Sequence, residues 1–431
     1  MLIVASIRAH RSLAALALCF VLGSAGAQSV LSAATPLGAD VDSLLSYARQ
    51  RNPELASMRA EARAAQERVY PAGALADPMF TTELRDITNG GESSASLLPS
   101  RVGSTRYIVS QALPWWGKRD LRRDVASAAA LEAQGRATST WNEIAMRVKS
   151  AHASRFQLHR TLHLTEEVDA LLQRLEAVAR ARYANGLAPQ ADVIRVQTER
   201  TMVQSELLQL RAETRTAQAQ INALLTRRPD EPLAEPARLR PLPPDSVLKF
   251  GELSERLRAA NPDLAIEAAR VQGAERNRDL TYRNRYPDFT LSVAPIQSRN
   301  RIADWELMFE VNIPLQQTSR RHQEREAEAM VEAANSRQSA VLQRSIGELG
   351  SRVAALQAAR ETEALVTSSL LPQAQATLES ALAAYETGRV DFATLLDAQR
   401  QLRLARVAAI KAQADARMRL AEIERLIGEE L

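Results

Sequence analysis

The chain is written twice, and that repeat limits its fold more than any local motif. Arg182-Tyr183-Ala184-Asn185-Gly186 and Ala384-Tyr385-Glu386-Thr387-Gly388 stand 202 residues apart. The same offset carries Val193, Ile194 and Gln197 onto Leu395, Leu396 and Gln399, and Ile221 and Leu224 onto Ile423 and Leu426. At nearby offsets Asn52-Pro53-Glu54-Leu55 returns as Asn261-Pro262-Asp263-Leu264, Tyr70-Pro71 as Tyr286-Pro287, and Leu113-Pro114 as Ile313-Pro314. Between the copies, residues 229–244 hold six of the 18 prolines, the mark of an extended linker. The organisation expected is a leader over 1–27, a short segment 28–41, a first repeat 42–228, a Pro-rich linker 229–250 and a second repeat 251–431.

Each copy shows the same order of elements. A helix (roughly 42–70 and 251–284) is read as ending at Tyr-Pro, because proline blocks helix continuation and biases the preceding residue toward extended backbone. A strand pair follows, within about 79–114 in the first copy and about 288–314 in the second. There Phe289, Leu291 and Val293 alternate with Thr290, Ser292 and Ala294, and Trp305, Leu307, Phe309, Val311 and Ile313 alternate with polar or smaller neighbours. A long helix comes next (about 118–185 and 318–387), roughly 100 Å at 1.5 Å per residue. Gly186 and Gly388 then reverse the chain into return helices of roughly 38 residues. Their apolar seams step by three and four. Val196, Val203, Leu207, Leu210, Ala217 and Ile221 form one, and Ala398, Leu402, Ala405, Ala409, Ala412, Ala416 and Ile423 form the other. A return helix plus the first helix of the following copy sums to about one long helix, so two short helices end to end are expected to flank one long one. The linker then falls at that junction, in the middle of a rod.

Composition agrees with long, closely packed helices. Hydrophobic residues make up 45%, but Trp, Tyr and Phe number only 4, 7 and 7, and glycine 16. Such a chain is apolar enough to fold and too poor in aromatics for a large compact core. The net charge of +4 is spread over interleaved acidic and basic residues, which argues against a nucleic-acid surface. No nucleophile elbow, phosphate loop or H-E-x-x-H is present, so an enzyme is not expected and no motif asks for a cofactor.

The first residues carry Arg8 and Arg11, an apolar run Leu13 to Leu22 and Ala25-Gly26-Ala27, which together read as a secretory signal cleaved after Ala27. The one cysteine, Cys19, would leave with it. No later stretch approaches 18 apolar residues, so membrane insertion, if any, is by strands. Each chain offers four candidate strands of about nine to eleven residues. Four cannot close a barrel, and lipid does not tolerate an open edge, so membrane strands require several copies to share one barrel. Trp115, Trp116 and Trp305 lie near strand ends, where interfacial aromatics belong.

The duplicated order, with Arg-Tyr-x-x-Gly…Asp-Val-Ile-x-x-Gln in one copy and Tyr-x-x-Gly…Leu-Leu-Asp-Ala-Gln in the other, resembles the TolC-like outer membrane factors over essentially the whole mature chain. The resemblance implies a mainly α fold with a membrane β portion: a homotrimer whose twelve strands form a barrel in the Gram-negative outer membrane and whose twelve helices continue as a tunnel into the periplasm. It further implies a passive exit duct docking a periplasmic adaptor and an inner-membrane RND-type transporter. The family's tunnel narrows at the periplasmic tip, where acidic side chains ring the pore. Asp397 matches one acidic position, Thr394 departs from the other, and Arg195 and Asp192 stand at the corresponding places in the first copy. Threefold symmetry would make rings of them, and carboxylate rings favour cations. Solvated tip residues without a gating role are the plainer alternative.

His152, His159 and His163 fall on one stripe of the first long helix, within about 40° of each other. Two readings stand: a borderline cation held through His159 and His163, or a polar face beside Phe156. Ala76-Asp77-Pro78-Met79 and Gln111-Ala112-Leu113-Pro114-Trp115-Trp116-Gly117-Lys118 resemble the heavy-metal branch of the family, of the cobalt-zinc-cadmium and copper-silver type. Drug efflux and type I protein secretion are the rival cargoes. A soluble periplasmic coiled-coil adaptor is the rival of another class, although such a protein has one helical hairpin rather than two full copies.

Overall fold

A computed structural model describes residues 36–88 and 95–431. The expected export signal over 1–27, with Cys19, lies outside the described residues. In chain order the elements are α1 (Val41–Arg51), α2 (Pro53–Glu67), α3 (Val69–Gly73), β1 (Met79–Arg85), β2 (Ser104–Leu113), α4 (Lys118–Ala184), α5 (Gln190–Leu224), α6 (Phe250–Ala260), α7 (Pro262–Arg283), β3 (Asp288–Ser298), β4 (Arg301–Asn312), α8 (Gln317–Leu365), a π turn (Val366–Leu370), α9 (Leu371–Glu386) and α10 (Phe392–Ile427). Among the described residues no helix is long and apolar enough to cross a membrane.

Three helical expectations need correction. The opening helix of each copy is not continuous but breaks at Asn52 and at Asn261. Each asparagine adopts extended backbone and caps the helix after it, which begins with proline. Asn52 Oδ1 accepts from the Leu55 N–H at 3.1 Å, and Asn261 Oδ1 from the Leu264 N–H at 2.8 Å. Proline at the first helical position lacks only an N–H that would have no partner there. The Tyr-Pro stops also move: Tyr70-Pro71 lies inside α3, and α7 ends at Arg283, before Tyr286-Pro287. Finally, the second long helix is interrupted by the π turn just before Pro372. Proline offers no N–H to the preceding turn and its ring crowds that carbonyl, which one inserted residue relieves. α4 has no proline and runs unbroken for 67 residues, about 100 Å.

The stacking partner differs as well. Each return helix is continued by the first helix of its own copy, not of the following one. Asn52 Nδ2 donates to the Leu224 carbonyl at 3.0 Å, at the end of α5, and Asn261 Nδ2 donates to the Leu426 carbonyl at 2.6 Å, at the end of α10. One asparagine thus caps the helix ahead with its oxygen and satisfies the helix behind with its amide, splicing α5 to α2 and α10 to α7. At the second splice Gly428 takes φ +79, and a Cβ there would sit 2.4 Å from the Ala260 carbonyl oxygen.

Apolar contacts gather in separate clusters along the rod. At the tip Leu164, Val168 and Leu172 of α4 pack with Val193, Val196 and Val203 of α5 and with Phe392, Leu395 and Ala398 of α10. Midway, Leu44, Ala48 and Leu55 meet Ile144, Val148, Ile221 and Leu225. Leu253 and Leu257 meet Leu349, Leu356, Leu420 and Ile423 in the matching place of the second copy. Trp141, unaccounted for by sequence, packs on the edge of the first of these two middle clusters, under the Arg49 guanidinium at 5.3 Å.

The four strands form one antiparallel sheet in the order β1-β2-β3-β4, so the two copies join where β2 pairs with β3. Registered pairs place Phe80, Val109, Val293 and Leu307 in one row across all four strands, and each is exposed. The other face is polar. Arg106 reaches Glu83 at 3.0 Å and pairs with Glu306, while Ser292 Oγ lies 2.9 Å from Ser110 Oγ. β1 ends at Arg85. Asp86 takes φ +52, which turns the backbone out of the ladder.

Candidate functional site

At the end of the rod away from the sheet, two helical hairpins meet. Both reverse in the same way. Gly186 has φ +71 and Gly388 φ +70, and the bonds Leu187 N–H to Arg182 O and Arg389 N–H to Ala384 O, each 2.8 Å, close the last helical turn. That six-to-one bond needs a left-handed residue, which is why glycine recurs at the shared offset.

The hairpins are tied across. The Arg182 guanidinium lies 4.9 Å over the Tyr385 ring, which itself leans on Phe392 at 5.5 Å. Arg400 of α10 pairs with Glu199 of α5 at 3.1 Å, and Arg403 pairs with Glu206. Within the first hairpin the buried Glu176 collects Arg200 at 3.1 Å, Arg180 at 2.5 Å and Gln197 at 3.0 Å. The Gln197 hydrogen bond, with Arg200 and Arg180, holds its carboxyl below the usual carboxylate range. Arg200, a charged residue between Val196 and Val203, is thus part of an inter-helix ion cluster.

The expected entrance residues occupy the first turns of the return helices. Asp192 is half-buried and Arg195 exposed on α5; Thr394 and Asp397 are exposed on α10. Among the described residues Asp192 and Arg195 form no ion pair with each other, and Asp397 forms none with any cation. Thr394 is engaged by Asp391, a residue that motif reading passed over. Asp391 caps α10, accepting from the Thr394 N–H at 3.0 Å and from its hydroxyl at 2.6 Å. Those two bonds and the Arg195 charge keep its carboxyl below the usual range. The signal was local: Asp-x-x-Thr before an apolar run is a cap pattern. α5 has no such acid, since Pro189 stands at its cap.

The histidine stripe divides. His152 is buried and pushed down to about 4, by burial first and then by the Arg155 charge. His159 and His163 come together with Glu235 of the linker, one ligand atom from each lying within 4.8 Å of the others. His163 Nε2 is 3.7 Å from the Glu235 carboxylate. Beside them the buried Arg155 donates to the linker carbonyls of Ala234 at 2.7 Å and Leu233 at 3.0 Å. The linker therefore lies against the middle of α4. Glu235 could not be found from periodicity, because an irregular chain has none.

Trp115 and Trp116 lie at one end of the sheet, and Trp305 lies within β4. Trp115 stacks on Tyr286 with centroids 5.0 Å apart and leans on Phe289 at 5.7 Å, and Trp116 stands exposed beside them. Trp305 is exposed near the start of β4, opposite Pro295. Lys118 fastens the sheet to α4: its buried Nζ donates to the Asp288 carboxylate at 2.8 Å and to the Tyr286 carbonyl at 2.9 Å.

Comparison with known proteins bears on the whole chain. The family model described as outer membrane efflux protein matches residues 44–227 and 253–429. Among solved structures, the outer membrane protein VceC from Vibrio cholerae superposes with a TM-score of 0.74 at 18% identity, over 90% of this chain and 96% of that one. CusC gives 0.74 at 16% identity over 90% and 92%, and the outer-membrane channel OprN 0.73 at 18% over 90% and 89%. A search of curated proteins returned no significant match.

Proposed function

Because the chain belongs to the outer membrane efflux protein family, we propose that three copies share one twelve-stranded barrel and one helical tunnel, forming the passive exit duct of a tripartite pump. The chain is an outer membrane efflux channel that extends into the periplasm. What supports the trimer is the sheet. Among the described residues it has four strands, an apolar row exposed across its whole width, and two outer edges, β1 and β4, with no strand partner. Lipid tolerates neither open edge. Pairing β4 of one copy with β1 of the next closes the ring, and three copies bring twelve strands, above the minimum of about eight. Along β4 the exposed Trp305, Leu307, Phe309 and Val311 alternate with charged or less apolar neighbours, giving the strand one apolar face. Chemical cross-linking in native membranes tests this: a cysteine pair joining β4 to a neighbour's β1 should yield a covalent trimer, and a product stopping at monomer or dimer overturns it.

At the tunnel tip, Asp397 of three copies forms a carboxylate ring that narrows and selects the entrance. Thr394 is occupied as a cap partner, and Arg195 lends its charge to Asp391 of the second hairpin. A periplasmic adaptor and an RND-type transporter dock there. Heavy-metal cations are the cargo we favour, on the Ala76-Asp77-Pro78-Met79 and Gln111–Lys118 stretches alone. A deletion strain should become sensitive to zinc, copper or cobalt salts. Sensitivity to lipophilic drugs without metal sensitivity would move the cargo to the drug class.

A further inference from the structure

We propose that His159, His163 and Glu235 form a binding site for a borderline divalent cation, Zn2+ or Cu2+, that staples the Pro-rich linker to the middle of α4. Two imidazoles and one carboxylate are a three-ligand set that leaves a fourth position for water around a tetrahedral ion. Hard cations such as Ca2+ and Mg2+ want an all-oxygen shell and are disfavoured.

The spacing is suitable. His159 and His163 are four residues apart on an unbroken helix, so both rings project from one face. Their ligand atoms and that of Glu235 already lie within 4.8 Å of one another. Ligands about 2.0–2.1 Å from a tetrahedral ion are about 3.3 Å apart, so closing on one needs at most roughly 1.5 Å of side-chain movement. His163 and Glu235 are exposed and His159 half-buried, which leaves that movement free and the site open to ions.

The third ligand is held in place by the fold. Arg155, one turn before His159 and almost wholly buried, donates to the carbonyls of Leu233 and Ala234. Those bonds fix the two residues before Glu235 and bring its carboxylate over the next turn of α4. On the far side of the His163 ring, Nδ1 faces the Glu166 carboxylate at 3.8 Å, where a metal-bound imidazole commonly finds an orienting acid. His152 takes no part, lying buried away from Glu235.

The site does not depend on the cargo assigned above, and its test involves no transport. Full-length protein, purified in detergent without a histidine tag and stripped with chelator, is titrated calorimetrically with ZnCl2 and with CuSO4. One ion per protomer is expected. His163→Ala and Glu235→Gln should each weaken binding by at least about tenfold, with elution in detergent unchanged, while His322→Ala leaves it as in the parent. Hydrogen exchange over 229–244 should slow on adding Zn2+ in the parent and not in either variant. Absence of a saturable site, or undiminished affinity in His163→Ala, overturns the proposal. Binding that ignores Glu235→Gln, or leaves linker exchange unaltered, overturns the staple.

Discussion

The two copies agree at their joints and differ in what lies between. Asn52 and Asn261 make the same pair of bonds, and Gly186 and Gly388 the same turn. Yet α4 is unbroken where its counterpart carries a π turn, the first seam is rich in Val and Leu where the second is mostly Ala, and Asp192 and Arg195 stand opposite Thr394 and Asp397. The difference separates two kinds of demand. A splice or a reversal has one backbone solution, which each copy must meet by itself. Seams and tips answer to whatever faces them, and the two copies face different neighbours.

Substitutions at the joints should have the largest effects, unequal between copies. Gly428→Ala drives a Cβ into the Ala260 carbonyl at a positive φ, and should cost about 3 kcal/mol or more in denaturant unfolding followed in detergent. Asn261→Ala should come next at about 2–3 kcal/mol, and Asn52→Ala lower at about 2 kcal/mol, since Asn261 is deeper and its bonds shorter. Equal losses would show that the two splices are interchangeable. Gly186→Ala and Gly388→Ala meet nothing within 4 Å, so each should cost only the left-handed backbone, about 1–2 kcal/mol.

Acid should distinguish the tips. The folded pKa of Asp391 lies below its unfolded value, so the cap is fully present above the ordinary carboxylate range and is lost as pH falls through the lower folded value. Hydrogen exchange at 392–395 should therefore rise on acidification while 190–193, headed by Pro189, stays level; parallel behaviour would remove Asp391 as the cause. The finest difference is one of charge. Asp397→Ala should raise single-channel conductance in planar bilayers and lower cation preference, and Arg195→Ala should raise that preference. An unchanged conductance in Asp397→Ala removes it from the entrance.

Much of this architecture is legible in the sequence. Only glycine suits the two tip turns, and period-two alternation from Trp305 to Ile313 admits only a strand with one apolar face. Where the reading failed, the missing information was non-local. Asn52-Pro53 was visible as a repeat, but its role as a splice needs the Leu224 carbonyl, far away in the chain. A seam of period near 3.5 says that a helix has a partner without saying which, so each return helix was expected to stack on the wrong copy. Of the tip residues Asp192, Arg195, Thr394 and Asp397, motif reading gave the positions but not the Asp391 cap that engages Thr394.

The clusters strung along the rod have a consequence for motion. A molecule with one central core yields all at once or not at all, because every layer leans on the same contacts. Here the tip holds together through its own side chains, and the middle through a separate set. Loosening the tip therefore gives up only the tip's share of the folding free energy, and the sheet in the membrane keeps its own. The entrance proposed at that end can therefore loosen while the contacts at the far end of the rod are kept.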